Sequence, residues 1–379
     1  MPPCRLVDLP IPLSLPPMEA IAEDALPSGA GWWFEPKWDG FRCLAFRAGS
    51  EVELIGRSGK SLARFFPDMA EALLAFAPPF VLDGELAIER DGALSFEALQ
   101  MRLHPAASRV ARLAREEPAM LIAFDCLVDA AGSDLAAEPL RVRREALERL
   151  AGGFPASRVR LTPGTRSRSQ ALAWLDAAGG DLDGVVAKRL DAPYSAGEGA
   201  MVKVKRWRTI DCVVGGWRPL GRGGSVGALL LGLYDEAGGL HHVGFTSAIS
   251  DQERPALTRR LEALAGPSAF TGAGPGGPSR WSGGRERTWR PLKPTIVAEV
   301  AYDHAAGDRL RHGARLIRLR PDKPPKACLL SQLRGEAAPA RLISELALDE
   351  PGSRLKAPRR GPDKGRRDWS KRVHGSPPS

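Results

Sequence analysis

The N-terminal half of the chain contains short strand-forming runs that alternate with helical stretches. The strand signals are apolar or strictly alternating segments at residues 52–55, 82–88, 121–127, 183–188 and 201–205. Between them, a helical stretch at 137–151 places leucines among arginines and glutamates. Such interleaving predicts an α+β domain that ends near residue 208.

The pattern changes after residues 205–211. Short β runs separated by glycine-containing turns follow, at 212–217, 228–234, 240–245 and 295–302. Strands so short and closely spaced favour a small β-barrel. We expect a helix near 251–265 to interrupt them, and a mobile loop at 266–284, a segment rich in glycine, proline and serine.

Lys37 begins the string Lys-Trp-Asp-Gly-Phe-Arg, which has the pattern KxDGxR. A lysine beside an aspartate and an arginine is a plausible amine nucleophile for a phosphorus centre. Free lysine has a pKa of about 10.4, so it must first lose its proton through burial, a nearby metal or cationic neighbours. The pattern alone suits a lysine in a charged surface turn equally well.

Charged residues lie at the ends or on one face of the predicted strands. They are Arg57, Asp83, Glu85, Asp183, Lys188, Lys203 and Lys205. Because side chains alternate along a strand, Asp83 and Glu85 should share one face, as should Lys203 and Lys205. Each position has an ordinary structural explanation, since buried strands often end in charged residues. Their order along the chain after Lys37 favours a common site.

In this order the segments resemble motifs I, Ia, III, IIIa, IV and V of the covalent nucleotidyltransferases, and Arg-Pro-Asp-Lys at 320–323 is similar to motif VI. This superfamily comprises ATP-dependent DNA ligases, RNA ligases and mRNA capping enzymes. The most similar subgroup is the small bacterial ATP-dependent DNA ligases of the LigC type, with the ligase domain of LigD, over about residues 10–335. The resemblance implies an adenylation (nucleotidyltransferase, ATP-grasp-like) domain at 1–208, an OB-fold barrel domain at 209–336 and an extension at 337–379.

The resemblance assigns Lys37 as the nucleophile that ATP adenylylates. Glu35 would lie near the adenine, Phe124 would stack on the base, and Arg42 with Glu85 would hold the ribose. A flat aromatic ring suits the stacking role.

The remaining roles implied by the resemblance concern phosphates and metal. The cations at the phosphates would be Arg57, Lys188, Lys203 and Lys205. The ligands of Mg²⁺ or Mn²⁺ would be Glu85 and Asp183, since carboxylate oxygens suit such ions. The motif VI residues that would orient the leaving pyrophosphate are Arg320, Asp322 and Lys323.

Two positions depart from the commonest family pattern. Asp183 stands where many relatives have glutamate, and Met201 stands where many have tryptophan. Neither change removes a charge that the implied reaction needs.

The implied activity is ATP-dependent sealing of 5′-phosphate/3′-hydroxyl nicks in duplex DNA, through lysyl-AMP and an adenylylated DNA 5′-phosphate, in DNA repair. The protein would act as a monomer and bind nicked double-stranded DNA. Other DNA-repair proteins are further candidate partners. An RNA ligase or capping-type enzyme stays open because it shares motif I, and a non-catalytic nucleic-acid-binding module represents a different class. The repair pathway and the choice between Mg²⁺ and Mn²⁺ also stay open.

Other signals are weaker. The string at 56–61 resembles a phosphate-binding P-loop, but Leu54 stands where that motif requires glycine. The paired histidines at 241–242 have no cysteine partners or HExxH spacing. The five cysteines form no CxxC pair and leave an odd count, so the sequence indicates neither a zinc site nor a disulfide framework.

Most of the chain's net positive charge lies in its C-terminal tail. Residues 351–379 hold nine lysines and arginines and two aspartates, a net charge of +7 against +9 for the whole chain. With almost no aliphatic residues this tail should be disordered. It could tether the protein to nucleic acid through phosphate contacts, or act only as a solubilising segment.

The expected location is the cytoplasm of a bacterium, in association with the nucleoid. No apolar run approaches the roughly 18 residues of a membrane span, and prolines interrupt the N-terminal segment where a signal peptide would lie.

Overall fold

The computed structural model describes residues 5–76, 78–155, 157–178, 182–221, 224–272, 275, 288–303, 305–306, 308–310 and 312–334. The predicted disordered tail at 351–379 lies outside the described residues, as does most of the predicted loop at 266–284.

Two sheets form the N-terminal part. The four-stranded sheet has the order β1-β10-β9-β2, with β1 (Glu19–Ala22), β2 (Trp32–Trp38), β9 (Leu182–Arg189) and β10 (Gly199–Val204). The second sheet has the order β4-β3-β5-β7-β8 with β6 paired to β5, and its strands are β3 (Phe41–Ala48), β4 (Glu51–Gly56), β5 (Phe80–Arg90), β6 (Ala93–Leu94), β7 (Ala119–Val128) and β8 (Val159–Leu161).

The helices are short. They are α1 (Pro67–Leu74), α2 (Phe96–Met101), α3 (Ala107–Glu116), α4 (Leu140–Ala151), α5 (Arg168–Asp176), α6 (Arg254–Glu262) and α7 (Ser331–Arg334). The predicted stretch at 137–151 becomes α4, which begins after Pro139 because proline suits the start of a helix and not its interior. Its three leucines, Leu140, Leu147 and Leu150, are buried, and Leu147 and Leu150 belong to the apolar core that the second sheet shares with its helices.

The predicted strands of the N-terminal part are confirmed with small shifts at their ends. β4 ends at Gly56, so Arg57 follows a strand as expected. β10 ends at Val204, so Lys205 lies one residue beyond the strand and does not share a strand face with Lys203. A β-bulge between Asp83 and Gly84 also disturbs the alternation on β5.

A five-stranded sheet forms the C-terminal part, in the order β13-β12-β11-β14-β17. Its strands are β11 (Arg208–Pro219), β12 (Val226–Tyr234), β13 (Leu240–Thr246), β14 (Arg290–Tyr302) and β17 (Arg315–Leu319), and a separate two-stranded ribbon joins β15 (Ala305–Ala306) to β16 (Arg309–Leu310). All four predicted β runs fall inside these strands, and α6 lies in the predicted helical segment.

No closed barrel is present in the described part of the chain. The two edge strands, β13 and β17, share no ladder, but one isolated parallel bridge joins Thr246 to Ala314. The Ala314 N–H donates to the carbonyl oxygen of Phe245 at 2.8 Å. The chain is therefore a mixed α+β protein whose last sheet curls until its edges meet at one point.

Among the described residues, no helix has the length and apolar character that crossing a bilayer requires.

Candidate active site

Lys37 lies near the end of β2, where the chain turns back into β3. Glu35 and Lys37 share one face of β2 because they are two residues apart. The turn needs glycine at position 40, since a Cβ there would collide with the backbone carbonyl of Leu86. The glycine of KxDGxR thus allows β3 to deliver Arg42 beside the strand that carries Lys37.

Asp183 is the counter-ion of Lys37. Lys37 pairs across the strands with Gly184, and its Nζ donates to Asp183 Oδ2 at 2.7 Å. The Nζ of Lys205 lies 3.0 Å from the same oxygen. Burial alone would raise the pKa of Asp183, but the charges and hydrogen bonds of Lys37 and Lys205 lower it below its ordinary value. Asp183 therefore stays ionised between two ammonium groups.

Glu35 and Lys188 form a buried ion pair at one end of the site. Glu35 is 2% exposed, and its Oε2 lies 2.8 Å from Lys188 Nζ. The indole N–H of Trp33 donates to the other carboxylate oxygen at 2.9 Å. Lys188 also donates to the carbonyl oxygen of Phe124 at 3.2 Å.

Phe124 presents its ring to two cations. Lys188 Nζ and the guanidinium carbon of Arg42 each lie 4.6 Å from the ring centroid. Both separations fall within the range of cation–π contacts. The aromatic side chain embedded in the buried strand β7 thus reaches the same site as the charged residues.

Arg42 is held by Asp83. Its Nε donates to Oδ1 at 2.5 Å and one terminal nitrogen donates to Oδ2 at 2.6 Å, the two-pronged geometry that suits a guanidinium and a carboxylate. Glu85 faces Arg42 across the β3–β5 pair. Burial raises the pKa of Glu85 to about 7, although the charges of Lys37 and Arg42 oppose the rise.

Lys203 and Arg57 supply positive charge at the more open end. Burial lowers the pKa of Lys203, and the like charges of Lys37, Arg57 and Lys205 add to the effect. Arg57 is exposed, and its guanidinium lies 2.8 Å from the carboxylate of Glu19. An ion pair at the surface contributes little stability, so Arg57 can readily leave Glu19 for another anion.

One cavity of about 510 Å³ connects these side chains. Eight of the predicted site residues line it, and they are Glu35, Lys37, Arg42, Arg57, Glu85, Phe124, Lys188 and Lys203. Met201 lines it as well. Asp183 and Lys205 do not line the cavity but contact Lys37 directly or through the shared carboxylate. A volume of this size suits a small-molecule site.

The motif VI residues do not line the cavity. Arg320 pairs with Asp322 at 2.7 Å and lies 3.3 Å from Asp211, and Lys323 Nζ lies 2.6 Å from the same Asp211. These contacts keep all three predicted residues on the C-terminal sheet. Sequence reasoning did not identify Asp211, which lies on β11 more than 100 residues before its partners.

Asp303 was also missed by the sequence interpretation. It directly follows β14, and its Oδ2 accepts a hydrogen bond from Lys205 at 2.7 Å. His312 contacts its other oxygen at 3.1 Å. An aspartate after a strand is too ordinary a pattern to indicate such a contact. Through Lys205, which also contacts Asp183, this contact links the C-terminal sheet to the counter-ion of Lys37.

The carboxylates at the site fit a divalent cation only in combination with a phosphate ligand. The described residues include no cluster of three or more His, Cys, Asp or Glu side chains arranged for a metal. Glu85 and Asp183 both lie within reach of the charge of Lys37, and their carboxylates carry hard oxygen donors. Mg²⁺ commonly binds one or two carboxylates together with substrate phosphates and water, so the donor set is compatible with that ion.

Comparison with known proteins gives consistent matches along the chain. A family model described as ATP dependent DNA ligase domain matches residues 17–205, and one described as ATP dependent DNA ligase C terminal region matches residues 222–323. DNA ligase C1 of Mycolicibacterium smegmatis is 42% identical over 341 residues, covering 86% of this chain and 96% of the relative. DNA ligase C of Mycobacterium tuberculosis is 40% identical over 347 residues, with the same coverage. The crystal structure of the ligase domain from M. tuberculosis LigD shares 31% sequence identity with this chain, with a TM-score of 0.44. The match covers 84% of this chain and 98% of the LigD ligase chain.

Proposed function

The chain belongs to the ATP-dependent DNA ligases, and on that premise we propose that Lys37 is the nucleophile that attacks the α-phosphate of ATP. The observation that carries this proposal is the position of Lys37: it lines the cavity, and its Nζ lies 2.7 Å from Asp183. A ligase of this kind must bring an amine, a carboxylate and several cations to one phosphate.

The residues around Lys37 have complementary tasks in this step. Asp183 accepts a hydrogen bond from Nζ and so orients it. Nζ then gives up a proton to solvent water, forms the bond to the α-phosphorus and displaces pyrophosphate. Lys203 and Lys205 supply fixed positive charge where negative charge develops during an in-line displacement. Mg²⁺ or Mn²⁺ bound by Glu85 and Asp183 would neutralise phosphate charge and polarise the reacting phosphorus.

The rest of the cavity would hold the nucleoside. Glu35 and Lys188 form its buried end, where Glu35 would contact the adenine and Phe124 would stack on it. Arg42 and Glu85, opposite each other on β3 and β5, would hold the ribose. Arg57 would add contacts to the phosphates, since its pair with Glu19 is exposed and readily exchanged. Lys188 would contact the α-phosphate after leaving Glu35, its partner in this structure.

We propose the predicted division into an adenylation domain at 1–208, an OB-fold domain at 209–336 and an extension at 337–379. The strand order of the C-terminal sheet supports the OB-fold, because its first strand pairs with the second and fourth and the edge strands meet through a parallel bridge.

The C-terminal domain would have to move during the reaction. Arg320, Asp322 and Lys323 lie outside the cavity in this structure and are bound to one another or to Asp211. For these residues to orient pyrophosphate, the domain would close over the nucleotide and then reopen to admit DNA.

The substrate is proposed to be a 5′-phosphate/3′-hydroxyl nick in duplex DNA, sealed through lysyl-AMP and an adenylylated DNA 5′-phosphate in repair. The same cations would serve all three displacements, because each occurs at a phosphate. We propose that the enzyme acts as a monomer at the bacterial nucleoid, with other repair proteins as further partners.

The test uses the whole 379-residue chain with ATP, Mg²⁺ or Mn²⁺, and a nicked DNA duplex beside the same nick in an RNA strand. The variants are Lys37→Ala and Lys293→Ala, the second an exposed lysine of β14 that serves as the matched control. We expect the Lys293→Ala protein to seal the DNA nick and acquire covalent label from labelled ATP, and the Lys37→Ala protein to do neither.

Label on the Lys37→Ala protein would refute the assigned nucleophile. Labelling of the unmodified protein with sealing confined to the RNA nick would instead support an RNA ligase.

A further inference from the structure

We propose that Tyr194 is a positioning residue for the nucleotide site, because its hydroxyl holds Asp83, and through Asp83 the guanidinium of Arg42, against the cavity wall at Met18. The inference deepens the proposed function and rests on Arg42 being a nucleotide contact. Tyr194 itself does not line the cavity, so it would act through its neighbours.

The Tyr194 hydroxyl makes two hydrogen bonds, one as a donor and one as an acceptor. It donates to Asp83 Oδ2 at 2.6 Å, and it accepts from the backbone N–H of Met18 at 2.9 Å. A phenolic hydroxyl is suited to such a bridge because it is both a donor and an acceptor. Phenylalanine could fill the same space but could make neither bond.

Asp83 is completely buried, and a buried carboxylate group needs hydrogen-bond donors around it. Arg42 supplies two hydrogen bonds and Tyr194 supplies the third. One nitrogen of Arg42 also donates to the carbonyl oxygen of Met18 at 3.2 Å. Tyr194, Asp83, Arg42 and Met18 thus form a closed ring of hydrogen bonds.

The ring joins the two N-terminal sheets at the cavity. Arg42 and Asp83 belong to β3 and β5 of the second sheet, whereas Met18 directly precedes β1 of the four-stranded sheet. Tyr194 lies in the connection between β9 and β10. Met18 and Arg42 both line the cavity, so this hydroxyl sets the spacing of two of its walls.

The hydroxyl and the ring of Tyr194 have separable roles. The ring is buried in an apolar cluster with residues such as Leu9, Ile11 and Met201, and the guanidinium of Arg143 lies 5.7 Å from its centroid. Tyr194→Phe keeps this packing. It removes one donor from Asp83 and leaves the Met18 N–H without this acceptor, so Arg42 should lose its fixed orientation while the fold persists.

The experiment measures covalent labelling of the whole 379-residue chain as a function of ATP concentration. Tyr194→Phe is compared with Tyr234→Phe, a matched control in β12 of the C-terminal sheet. We expect the KM for ATP, taken as the concentration that gives half the maximal labelling rate, to rise about tenfold in Tyr194→Phe, the effect of losing a hydrogen bond to a charged group. The maximal labelling rate should change less than about twofold. Tyr234→Phe should leave both parameters unchanged. Assays run below the Tm of every variant, so that lost stability does not register as a change in KM.

Arg42→Ala and the double variant test whether Tyr194 acts through Arg42. If it does, Tyr194→Phe produces no further rise in KM once Arg42 is alanine, because residues that act as a unit are not additive. Additive effects would mean that Tyr194 is only structural and would overturn the inference. An unchanged KM in Tyr194→Phe, with a raised KM in Arg42→Ala, would overturn the role of Tyr194 but leave the proposed role of Arg42 intact. An unchanged KM in Arg42→Ala would overturn both the inference and the proposed role of Arg42.

Discussion

The ammonium of Lys37 lies 2.7 Å from the carboxylate of Asp183. The same carboxylate oxygen lies 3.0 Å from Lys205, whose other partner is Asp303 of the C-terminal part. The proposed nucleophile is therefore the first member of a chain of alternating charges that runs from the cavity to the C-terminal sheet. Adenylylation would remove the positive charge of Lys37 and leave Asp183 with Lys205 as its remaining partner.

Replacing Asp183 by asparagine should reduce lysine adenylylation by at least about 100-fold, because it removes both a proposed metal ligand and the group that orients Lys37. The measurement is single-turnover labelling with ATP. Asp251→Asn, a change at an exposed aspartate beside α6, is the control and should label normally. Normal labelling of Asp183→Asn would show that the carboxylate is dispensable.

Replacing Asp303 by asparagine should accelerate adenylylation by a few-fold, on the order of 2 to 5. Lys205 is held between two carboxylates here, so it must leave Asp303 before it can contact a phosphate in the closed conformation. The rate of labelling at low ATP concentration measures the effect, again beside Asp251→Asn. A slower rate would mean that Asp303 assists Lys205 in the reaction.

Arg320→Ala and Lys323→Ala should each impair adenylylation by about 100-fold while sealing of a pre-adenylylated nick falls less than about tenfold. These residues are proposed to act on pyrophosphate, which takes part only in the first step. Arg318→Ala, at a neighbouring exposed arginine paired with Glu299, is the control. Equal losses in both steps would contradict this division of labour.

The carboxyl group of Glu85 should make the stability of the nucleotide-free protein depend on pH. Its pKa is raised by burial from 4.5 to about 7, so the folded protein binds this proton more tightly than the unfolded chain does. The resulting stabilisation is complete below pH 4.5 and is lost as the pH rises through about 7.

Glu85→Gln should therefore raise the Tm relative to the unmodified protein at pH 8.5, and raise it less at pH 5. Glu71→Gln, at an exposed position of α1, should shift Tm equally at both values. Thermal unfolding without nucleotide or metal measures both differences. A Tm difference for Glu85→Gln that is the same at pH 5 and pH 8.5 would contradict the raised pKa.

The predictions from sequence succeeded where the relevant signal was local. The alternating runs of β4 and β10, the apolar run of β7 and the glycine turns of the C-terminal sheet are each signals within a few residues, and the structure contains all of these strands. The prediction that Lys203 and Lys205 share one strand face was wrong, because β10 ends at Val204 and Lys205 lies beyond it. A closed barrel was expected, but the described edge strands meet only at Thr246 and Ala314.

The motif order was enough to identify the family, and eight of the residues predicted from it line one cavity. The supporting contacts depended on tertiary structure. Tyr194 meets Asp83 across 111 residues, Lys205 meets Asp303 across 98, and Lys323 meets Asp211 across 112. Strand patterning specifies which face a side chain occupies, but which distant face it meets depends on how whole sheets pack, and that is decided by the burial of the core as a whole.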